Sequence, residues 1–306
     1  MRGWILYRRA EQELDPCAYE INRLREAAVR GGVDLRVVRP EHFQLLVGDP
    51  NSRTAWLDGE EVALPDFLLP RMGAGTTYFA LAVIRHLERL GVPAFNSAAS
   101  VATVRDKLYT QQVLAASGLP SVKTMLVKFP VDPACVERSL GFPVVLKPVS
   151  GSHGRGVFLC QTAEQLEDVV GLIMAGRATE FVLIQEFVSA SRGRDLRVFT
   201  LGGRPVACMQ RTATVGFRAN VSRGATVTAH PMTPKIERLA SEASRLFGLE
   251  IAGVDLLFRE DGFAICEVNS SPGFRGLEEC HSIDIAGAIF AHVRERLSAA
   301  QGRSGG

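Results

Sequence analysis

The 306 residues are enough for two or three domains. With 46% hydrophobic and 22% charged residues, the composition is that of an ordinary soluble globular protein. A net charge of +2 gives no reason to expect nucleic acid as a partner, and no apolar run approaches the roughly 20 residues that span a membrane. The six scattered cysteines lack Cys-x-x-Cys spacing, so we expect reduced thiols in a cytoplasm rather than a disulfide framework or a structural zinc site.

The first 97 residues alternate strand and helix patterns. The patterns predict strands at 3–7, 33–38, 62–70 and 93–96 and helices at 17–30 and 78–90. This alternation predicts a parallel sheet wound with helices, and such sheets bind ligands beyond the carboxyl ends of their strands. Arg71 lies at such an end. A lone arginine in a loop is more often solvated than functional, but this one lies at a ligand-binding edge, so both interpretations stay open.

From residue 98 onward the character of the chain changes. A helix is predicted at 105–118, and a compact strand at 142–148 has Lys147 interrupting its apolar run. The glycine-rich stretch 150–156 leads into a second strand at 157–160, so it connects a hairpin. Glycines let a backbone approach an anion closely and hinge as a lid. The Gly-Lys-Ser/Thr ending of a Walker loop is missing, so the stretch is either another kind of phosphate-binding lid or a mobile turn.

The following segments supply more strands and helices. Residues 181–188 form a nearly unbroken buried strand, residues 195–211 a hairpin that turns at Gly202-Gly203, and residues 217–224 a basic loop around Asn220. Helices are predicted at 163–174, 234–247 and 283–297, the last packed on the C-terminal sheet. Residues 298–306 are expected to form a flexible tail.

Acidic side chains gather in the stretch 255–276. Two apolar runs flank Asp261-Gly262, which predicts a β-hairpin. Glu267 and Asn269 point to the same side of their strand, and Asp255 can lie opposite them. Carboxylate and amide oxygens are costly to bury without a partner, and Mg²⁺ takes such oxygens as ligands. The sequence therefore predicts a Mg²⁺ site; the alternative is that the acids are solvated strand ends.

A series of motifs spans the chain from Gly3 to about Leu297. The motifs are Pro70-Arg-Met-Gly73, Arg105-Asp-Lys-Leu108, Val145-Leu-Lys-Pro148, Gln185-Glu-Phe187, Asp195-Leu-Arg197, Phe217-Arg-Ala-Asn220 with Arg223-Gly224, Ile251-Ala-Gly-Val-Asp255, Glu267-Val-Asn-Ser-Ser-Pro-Gly273 and Ile283-Asp-Ile-Ala-Gly287. In this order they resemble the ATP-grasp superfamily and, within it, the RimK-type α-L-glutamate ligases.

The resemblance implies a fold of mixed α/β and α+β class, the ATP-grasp fold. It places a parallel α/β pre-ATP-grasp domain at 1–97, a small lobe with the glycine-rich phosphate loop at 98–185, and a large lobe with the metal site at 186–297. The two lobes would grip ATP between antiparallel sheets.

The resemblance also implies a nucleotide site. The residues assigned to it are Lys107 and Lys147 at the phosphates, Ser152, His153, Gly154 and Gly156 in the lid, Glu186 and Phe187 at adenine, Asp195 at the ribose, and Arg197. Asp255, Glu267 and Asn269 match the family's Mg²⁺ ligands, with Mn²⁺ as an alternative and two ions expected. This agrees with the metal site predicted from the hairpin.

The remaining implied residues concern the chemistry. Arg218 and Asn220 would face the phosphoryl and acyl groups, and Arg211 or Arg223 would help stabilise an oxyanion. Arg71 would bind substrate. Two positions depart from the family pattern: Ala225 follows Gly224 where paired glycines are frequent, and the glycine loop carries His153 and Arg155 where many relatives have neutral residues. These departures affect substrate choice and lid behaviour.

The resemblance implies an ATP-dependent ligase that adds L-glutamate to a carboxylate acceptor (a peptide, a protein C-terminus or a small molecule) through an acyl phosphate. No nucleic acid or membrane partner is expected, and the family suggests a homo-oligomer. Two alternatives stay open at this stage. The amine could be another amino acid or amine, or the chain could be a nucleotide-binding protein without catalysis.

Overall fold

The computed structural model describes residues 1–9, 11–14, 18–48, 54–148, 156–176, 181–221 and 224–304. The first elements are β1 (Arg2–Leu6), α1 (Tyr19–Arg30), β2 (Asp34–Val38), β3 (Phe43–Gln44), β4 (Thr54–Leu57), β5 (Glu60–Ala63), β6 (Phe67–Pro70) and α2 (Tyr78–Arg89). Strands β1, β2 and β6 pair in parallel in the order β2-β1-β6, which confirms the predicted parallel sheet.

The strand predicted at 62–70 is in fact two strands in different sheets. Strand β5 is mostly exposed and pairs antiparallel with β4 in a small β3-β4-β5 sheet that the sequence patterns did not indicate. Strand β6 is fully buried and joins the parallel sheet. The strand predicted at 93–96 is reduced to a single bridge between Leu68 and Ala94.

The middle of the chain contains α3 (Ala98–Arg105), α4 (Lys107–Ala116), β7 (Thr124–Lys128), α5 (Pro133–Leu140), β8 (Val144–Lys147), β9 (Phe158–Cys160), α6 (Ala163–Ala175) and β10 (Phe181–Glu186). An antiparallel sheet of order β7-β10-β8-β9 includes the predicted β8–β9 hairpin. Asp106 separates α3 from α4, because its Oδ1 accepts a hydrogen bond from Tyr109 N at 2.9 Å and caps α4. Helices α3 and α5 and strand β7 were not predicted.

The last part contains β11 (Arg194–Leu201), β12 (Arg204–Thr212), β13 (Thr226–Ala229), α7 (Pro234–Leu246), β14 (Ile251–Arg259), β15 (Gly262–Asn269), α8 (Arg275–His281) and α9 (Ile285–Ser304). The strands form an antiparallel sheet of order β13-β12-β11-β14-β15. Both predicted hairpins, β11–β12 and β14–β15, are present. Helix α9 extends to Ser304, through most of the stretch expected to be a flexible tail.

The five-stranded sheet has one apolar face, and its other face is apolar at one end and charged at the other. Leu196 and Val198 of β11 pack with α7 on the first face. On the other face Phe199 and Leu201 belong to a core shared with α9, whereas Asp195 and Arg197 continue the same alternation beyond that core. Apolar residues thus anchor one end of this face, and charged residues occupy the other. We call the charged end the cleft face.

Helix α9 joins the N-terminal sheet to the five-stranded sheet. Ile289 and Phe290 of α9 lie in one core with Ile5 and Phe67 of the parallel sheet. The same core includes Phe199 of β11, so the predicted packing of the last helix on the C-terminal sheet is found, together with packing on α1. Among the described residues, no helix has the length and apolarity needed to cross a membrane.

Candidate active site

The β14–β15 hairpin sets the centre of the cleft face. Asp255 pairs directly with Glu267, and Gly253 pairs with Asn269, so Asp255 lies on the strand opposite Glu267 and Asn269, as expected from the sequence. The register shifts after Asp255, so that Leu256 pairs with Ile265 and Cys266 is the extra residue of a β-bulge. Because of this bulge, the Cys266 and Glu267 side chains line the same pocket instead of alternating between faces.

Asp255 is buried against two arginines. Arg197 donates through Nε to Oδ1 and through Nη2 to Oδ2 at 2.9 Å, and Arg211 Nη2 lies 3.1 Å from Oδ2. Burial alone would raise the pKa of Asp255, but the two guanidinium groups outweigh it and hold that pKa below its usual range. Asp255 is therefore ionised at neutral pH.

Arg211 connects Asp255 to Asp195. Its Nε donates to Asp195 Oδ1 at 2.7 Å and its Nη2 to Asp195 Oδ2 at 2.9 Å, in the bidentate geometry that favours ionised pairs. The residue is only 5% exposed. Arg211, expected to stabilise an oxyanion, thus bridges the carboxylate predicted for the ribose and a carboxylate predicted for the metal.

Lys107 faces Glu267 from the start of α4. Its Nζ lies 2.6 Å from Glu267 Oε1, and the Glu267 side chain keeps 39% of its surface exposed to the cleft. Burial works against the charge of Glu267, yet Lys107 and Lys147 hold the pKa of Glu267 below its usual range. These groups share one narrow pocket, lined by Val104, Lys107, Thr110, Gln111, Lys147, Gln185, Cys266 and Glu267.

The oxygen donors of the hairpin fit a divalent cation. An ionised carboxylate offers about four lone-pair positions, and three N–H contacts occupy Asp255, which leaves one position for a metal. Asn269 Nδ2 donates to Gly253 O at 3.3 Å, which leaves its Oδ1 as an acceptor. The described residues hold no cluster of three acidic, histidine or cysteine side chains suited to a metal. The set of two carboxylates and one amide matches the oxygen preference of Mg²⁺.

Glu186 and Phe187 lie at the end of β10, where the chain leaves the four-stranded sheet β7-β10-β8-β9. Glu186 Oε1 accepts from Lys123 N at 2.8 Å and from Arg259 Nη2, so its side chain ties β7 to the end of β14. The backbone N–H groups of Glu186 and Phe187 donate to Lys123 O at 3.1 Å and Pro143 O at 3.3 Å. A nucleotide base that contacts the backbone of Glu186 and Phe187 would therefore bind to their carbonyl oxygens, or these two hydrogen bonds would have to open.

The loop between β12 and β13 contacts Phe187 after β10 and Val157 before β9. The Phe217 ring packs edge-on against Phe187 at 6.2 Å, and Arg218 Nη1 donates to Val157 O at 3.3 Å, next to β9. Asn220 belongs to the same loop and accepts from Ala225 N through its carbonyl. A cavity of about 290 Å³ adjoins it, lined by Ala213, Thr214, Val215, Gly216, Phe217, Arg218 and Ala225.

Several predicted residues lie outside the described part of the chain. These are Ser152, His153, Gly154 and Arg155 of the lid and Arg223 of the basic loop. Gly156 is described and has a φ of +69°, a conformation that suits glycine. A β-carbon there would lie 3.5 Å from the ring of Pro148, which is ordinary contact.

Arg71 is buried at the carboxyl end of β6. Its Nη2 donates to Pro272 O at 2.7 Å, and its guanidinium lies 5.8 Å from the centre of the Phe274 ring. Its Nε and Nη1 have no hydrogen-bond partner among the described residues, and burial lowers the pKa of this arginine. Arg71 thus touches the segment that directly follows Asn269.

Two further residues at the site were missed by the sequence analysis. Gln111 Nε2 donates to Cys266 O at 2.9 Å, and its position four residues after Lys107 on the same helical face was a usable signal. Asn96 contacts both ends of the β14–β15 hairpin from 155 and 174 residues away. No local pattern in the sequence points to that contact.

A model of the RimK-like ATP-grasp domain matches residues 104–293, and a model of the RimK pre-ATP-grasp domain matches residues 5–101. The chain belongs to the RimK-like ATP-grasp family. A protein of Shewanella amazonensis named "Probable alpha-L-glutamate ligase 1" is 36% identical over 282 residues, 92% of this chain and 93% of that protein. A "Probable alpha-L-glutamate ligase" of Legionella pneumophila is 32% identical over 284 residues, with 92% and 93% covered.

Solved structures show the same fold. A RimK domain ATP-grasp protein from Sphaerobacter thermophilus superposes with a TM-score of 0.73 at 23% identity, covering 94% of this chain and 98% of its own. The ATP-grasp ligase PsnB, in a complex with its minimal precursor, Mg and ADP, gives 0.70 at 18% identity, covering 96% and 98%. The ATP-grasp fold predicted from the motifs is confirmed, and this RimK-like protein is an ATP-dependent ligase.

Proposed function

We propose that this ligase joins the amino group of L-glutamate to a carboxylate acceptor and converts ATP to ADP and phosphate. The observation that carries the proposal is the pairing of Asp255 with Glu267 on the cleft face, with Lys107 Nζ 2.6 Å from Glu267. Phosphoryl transfer depends on positioned cations and on oxygen ligands for a divalent metal. Mg²⁺ held by Asp255, Glu267 and Asn269 would offset charge on the phosphate oxygens.

The proposed chemistry has two steps. An oxygen of the acceptor carboxylate attacks the γ-phosphorus of ATP, the bond to the ADP oxygen breaks, and an acyl phosphate forms. The glutamate nitrogen then attacks the acyl carbon, the carbon–oxygen bond to phosphate breaks, and the nitrogen loses a proton. The first step is needed because oxide is a very poor leaving group, whereas phosphate is a good one.

The chain's own residues position and neutralise these groups. Lys107 and Lys147 line one pocket and bring two compact positive charges to the phosphates. Arg218 Nη1 donates to Val157 O, so the β12–β13 loop contacts the backbone directly before β9. A lid formed by the glycine-rich stretch that precedes Val157 would exclude water and protect the acyl phosphate from hydrolysis. The scheme requires no side chain as a covalent nucleophile.

Arg71 is our candidate for a substrate carboxylate. A buried guanidinium with unpartnered N–H groups is costly, and a carboxylate can pair with a planar guanidinium through two parallel hydrogen bonds. Glutamate brings two carboxylates beside its amine and so needs cations beyond those that serve ATP. The names of the relatives at 36% and 32% identity support glutamate as the amine.

Product analysis tests the proposed chemistry. The purified enzyme is given ATP, Mg²⁺, a pool of peptides with free carboxyl termini, and glutamate, and nucleotides are quantified. We expect ADP and phosphate in equal amounts, and hydroxylamine in place of glutamate should trap the acyl group as a hydroxamate. Stoichiometric AMP and pyrophosphate would indicate adenylation and contradict the scheme.

A further inference from the structure

Asn96 of the N-terminal part of the chain is completely buried. Its Nδ2 donates to two carbonyl oxygens, Ile251 O at 2.7 Å and Ser270 O at 2.8 Å, and its Oδ1 accepts from Ile251 N at 2.9 Å. Both amide N–H groups and the oxygen are therefore used. A side chain that bonds three backbone groups at once holds them in a fixed arrangement.

Asn96 contacts both chain ends of the β14–β15 hairpin, which carries the proposed metal ligands and is called the metal hairpin below. Ile251 is the first residue of β14, and Ser270 directly follows Asn269, the last residue of β15. Asn269 lies opposite Gly253, two residues from Ile251, so the hairpin is open at this end and has no turn to close it. Asn96 supplies that closure from outside the hairpin.

A second contact holds the same segment two residues further on. Arg71 Nη2 donates to Pro272 O at 2.7 Å. Pro272 lies across Gly253, where a β-carbon on the glycine would approach Pro272 Cβ to 2.6 Å. Residues 270–272 thus pack against β14 and accept hydrogen bonds from two side chains of the N-terminal domain.

We propose that Asn96 is a positioning residue that sets the direction of Asn269, and with it the geometry of the metal site, with Arg71 as a second anchor. The inference rests on the proposed metal site. Ser270 lies beyond the last residue of β15, and the hydrogen bond from Asn269 Nδ2 to Gly253 O is long at 3.3 Å. Without Asn96 the Asn269 side chain would therefore sample directions in which its Oδ1 misses the cation. The N-terminal domain would then contribute to metal binding without touching the metal.

The test measures how Mg²⁺ changes the stabilisation of the protein by ADP, without acceptor or amine. Full-length wild type and Asn96→Ser are melted with saturating ADP while Mg²⁺ is titrated. Serine can donate to one carbonyl but cannot bridge both. We expect Asn96→Ser to keep the rise in Tm with ADP alone and to need at least tenfold more Mg²⁺ for its half-maximal further rise.

The control is Ser100→Ala. Ser100 Oγ donates to Gly248 O at 3.0 Å, so this change removes a hydrogen bond from the same region to the segment before β14 but leaves residues 270–272 untouched. Its Mg²⁺ response should match that of the wild type. A folded Asn96→Ser with the wild-type Mg²⁺ response would overturn the proposal.

If Asn96→Ser does not fold, Arg71→Met carries the test. Methionine removes the contact to Pro272 O and also the two unpartnered buried N–H groups, so the fold should tolerate it. A tenfold weaker Mg²⁺ response would support anchoring of the loop, and an unchanged response would refute it. A wild type that shows no Mg²⁺-dependent stabilisation with ADP would instead contradict the proposed function.

Discussion

Lys107 Nζ and Glu267 Oε1 lie 2.6 Å apart, although the residues are separated by 160 positions in the chain. The contact joins the first turn of α4 to the strand of the metal hairpin. Each side chain is a counter-charge for the other, and Glu267 raises the pKa of Lys107 against the opposing effect of burial. The proposed phosphate contact of Lys107 and the proposed metal contact of Glu267 would therefore be coupled, and loss of either should affect nucleotide turnover.

Glu267→Gln should keep the fold and lose activity. The amide has nearly the same size as the carboxylate but brings no negative charge to a cation. We expect turnover to fall by about 10² or more, as when a transition-state electrostatic contact is removed. Glu260→Gln, the same change at the exposed turn of this hairpin, should leave turnover unchanged. Near-normal turnover of Glu267→Gln without a large excess of Mg²⁺ would refute the metal assignment.

Arg211→Lys should weaken ATP binding and stability together. Lysine keeps the charge but cannot reach Asp195 and Asp255 with a planar fork. We expect the KM for ATP to rise at least tenfold, and the free energy of unfolding to fall by about 1–3 kcal/mol. Arg204→Lys, whose side chain is 78% exposed, should change neither. An Arg211→Lys enzyme with a wild-type KM would show that the bridge is dispensable.

Gly156→Ala tests the lid. At a φ of +69° a β-carbon strains the backbone. It would also stiffen the backbone just before β9, where the glycine-rich stretch ends. We expect a higher KM for ATP or a lower kcat, with the Tm reduced only slightly. Gly141→Ala is the matched control, because Gly141 has a φ of +70° and lies in open space after α5. Equal kinetics in the two variants would show that the connection is an ordinary turn.

The stability lost in Glu250→Gln should depend on pH. Glu250 accepts from His292 Nε2 at 2.7 Å and Arg296 Nη2 at 2.6 Å, and the hydrogen bond from His292 is the main reason that its pKa is lowered on folding. A lowered carboxyl pKa stabilises the fold above the unfolded-state pKa, and this contribution disappears as pH falls through the folded-state pKa. Urea unfolding should therefore show a deficit of about 1 kcal/mol for Glu250→Gln at pH 5.5 that shrinks toward pH 3.5. A deficit that grows on acidification would contradict this assignment.

Local patterns were sufficient to predict much of the site. The two apolar runs and the Asp261-Gly262 turn correctly predicted the hairpin, with Asp255 on the strand opposite Glu267 and Asn269. The direct pairing of Asp255 with Glu267 depends in addition on the bulge at Cys266. The helix predicted at 105–118 corresponds to α4, which begins at Lys107 because Asp106 caps it. These features depend on residues close together in the chain.

Other features depend on tertiary contacts and could not be predicted. The bulge at Cys266 is a shift of one residue in pairing, and the apolar pattern of β15 does not reveal it. The partners of Arg211 and Asn96 come from other strands, and opposite charges in a sequence do not indicate which of them will pair. The small β3-β4-β5 sheet is mostly exposed at β5, so it lacks the hydrophobic alternation that identifies half-buried strands.

A screen of the twenty amino acids as amine donors tests whether the enzyme is a glutamate ligase. Each is offered to the enzyme with ATP, Mg²⁺ and a pool of peptides with free carboxyl termini, and products are identified by mass while ADP is quantified. We expect a mass gain of one glutamate residue, with glutamate used at least tenfold better than glutamine, about the 1.4 kcal/mol that one charge contact represents. Equal use of glutamine, or a preference for a neutral or basic amino acid, would contradict the claim that this is a glutamate ligase.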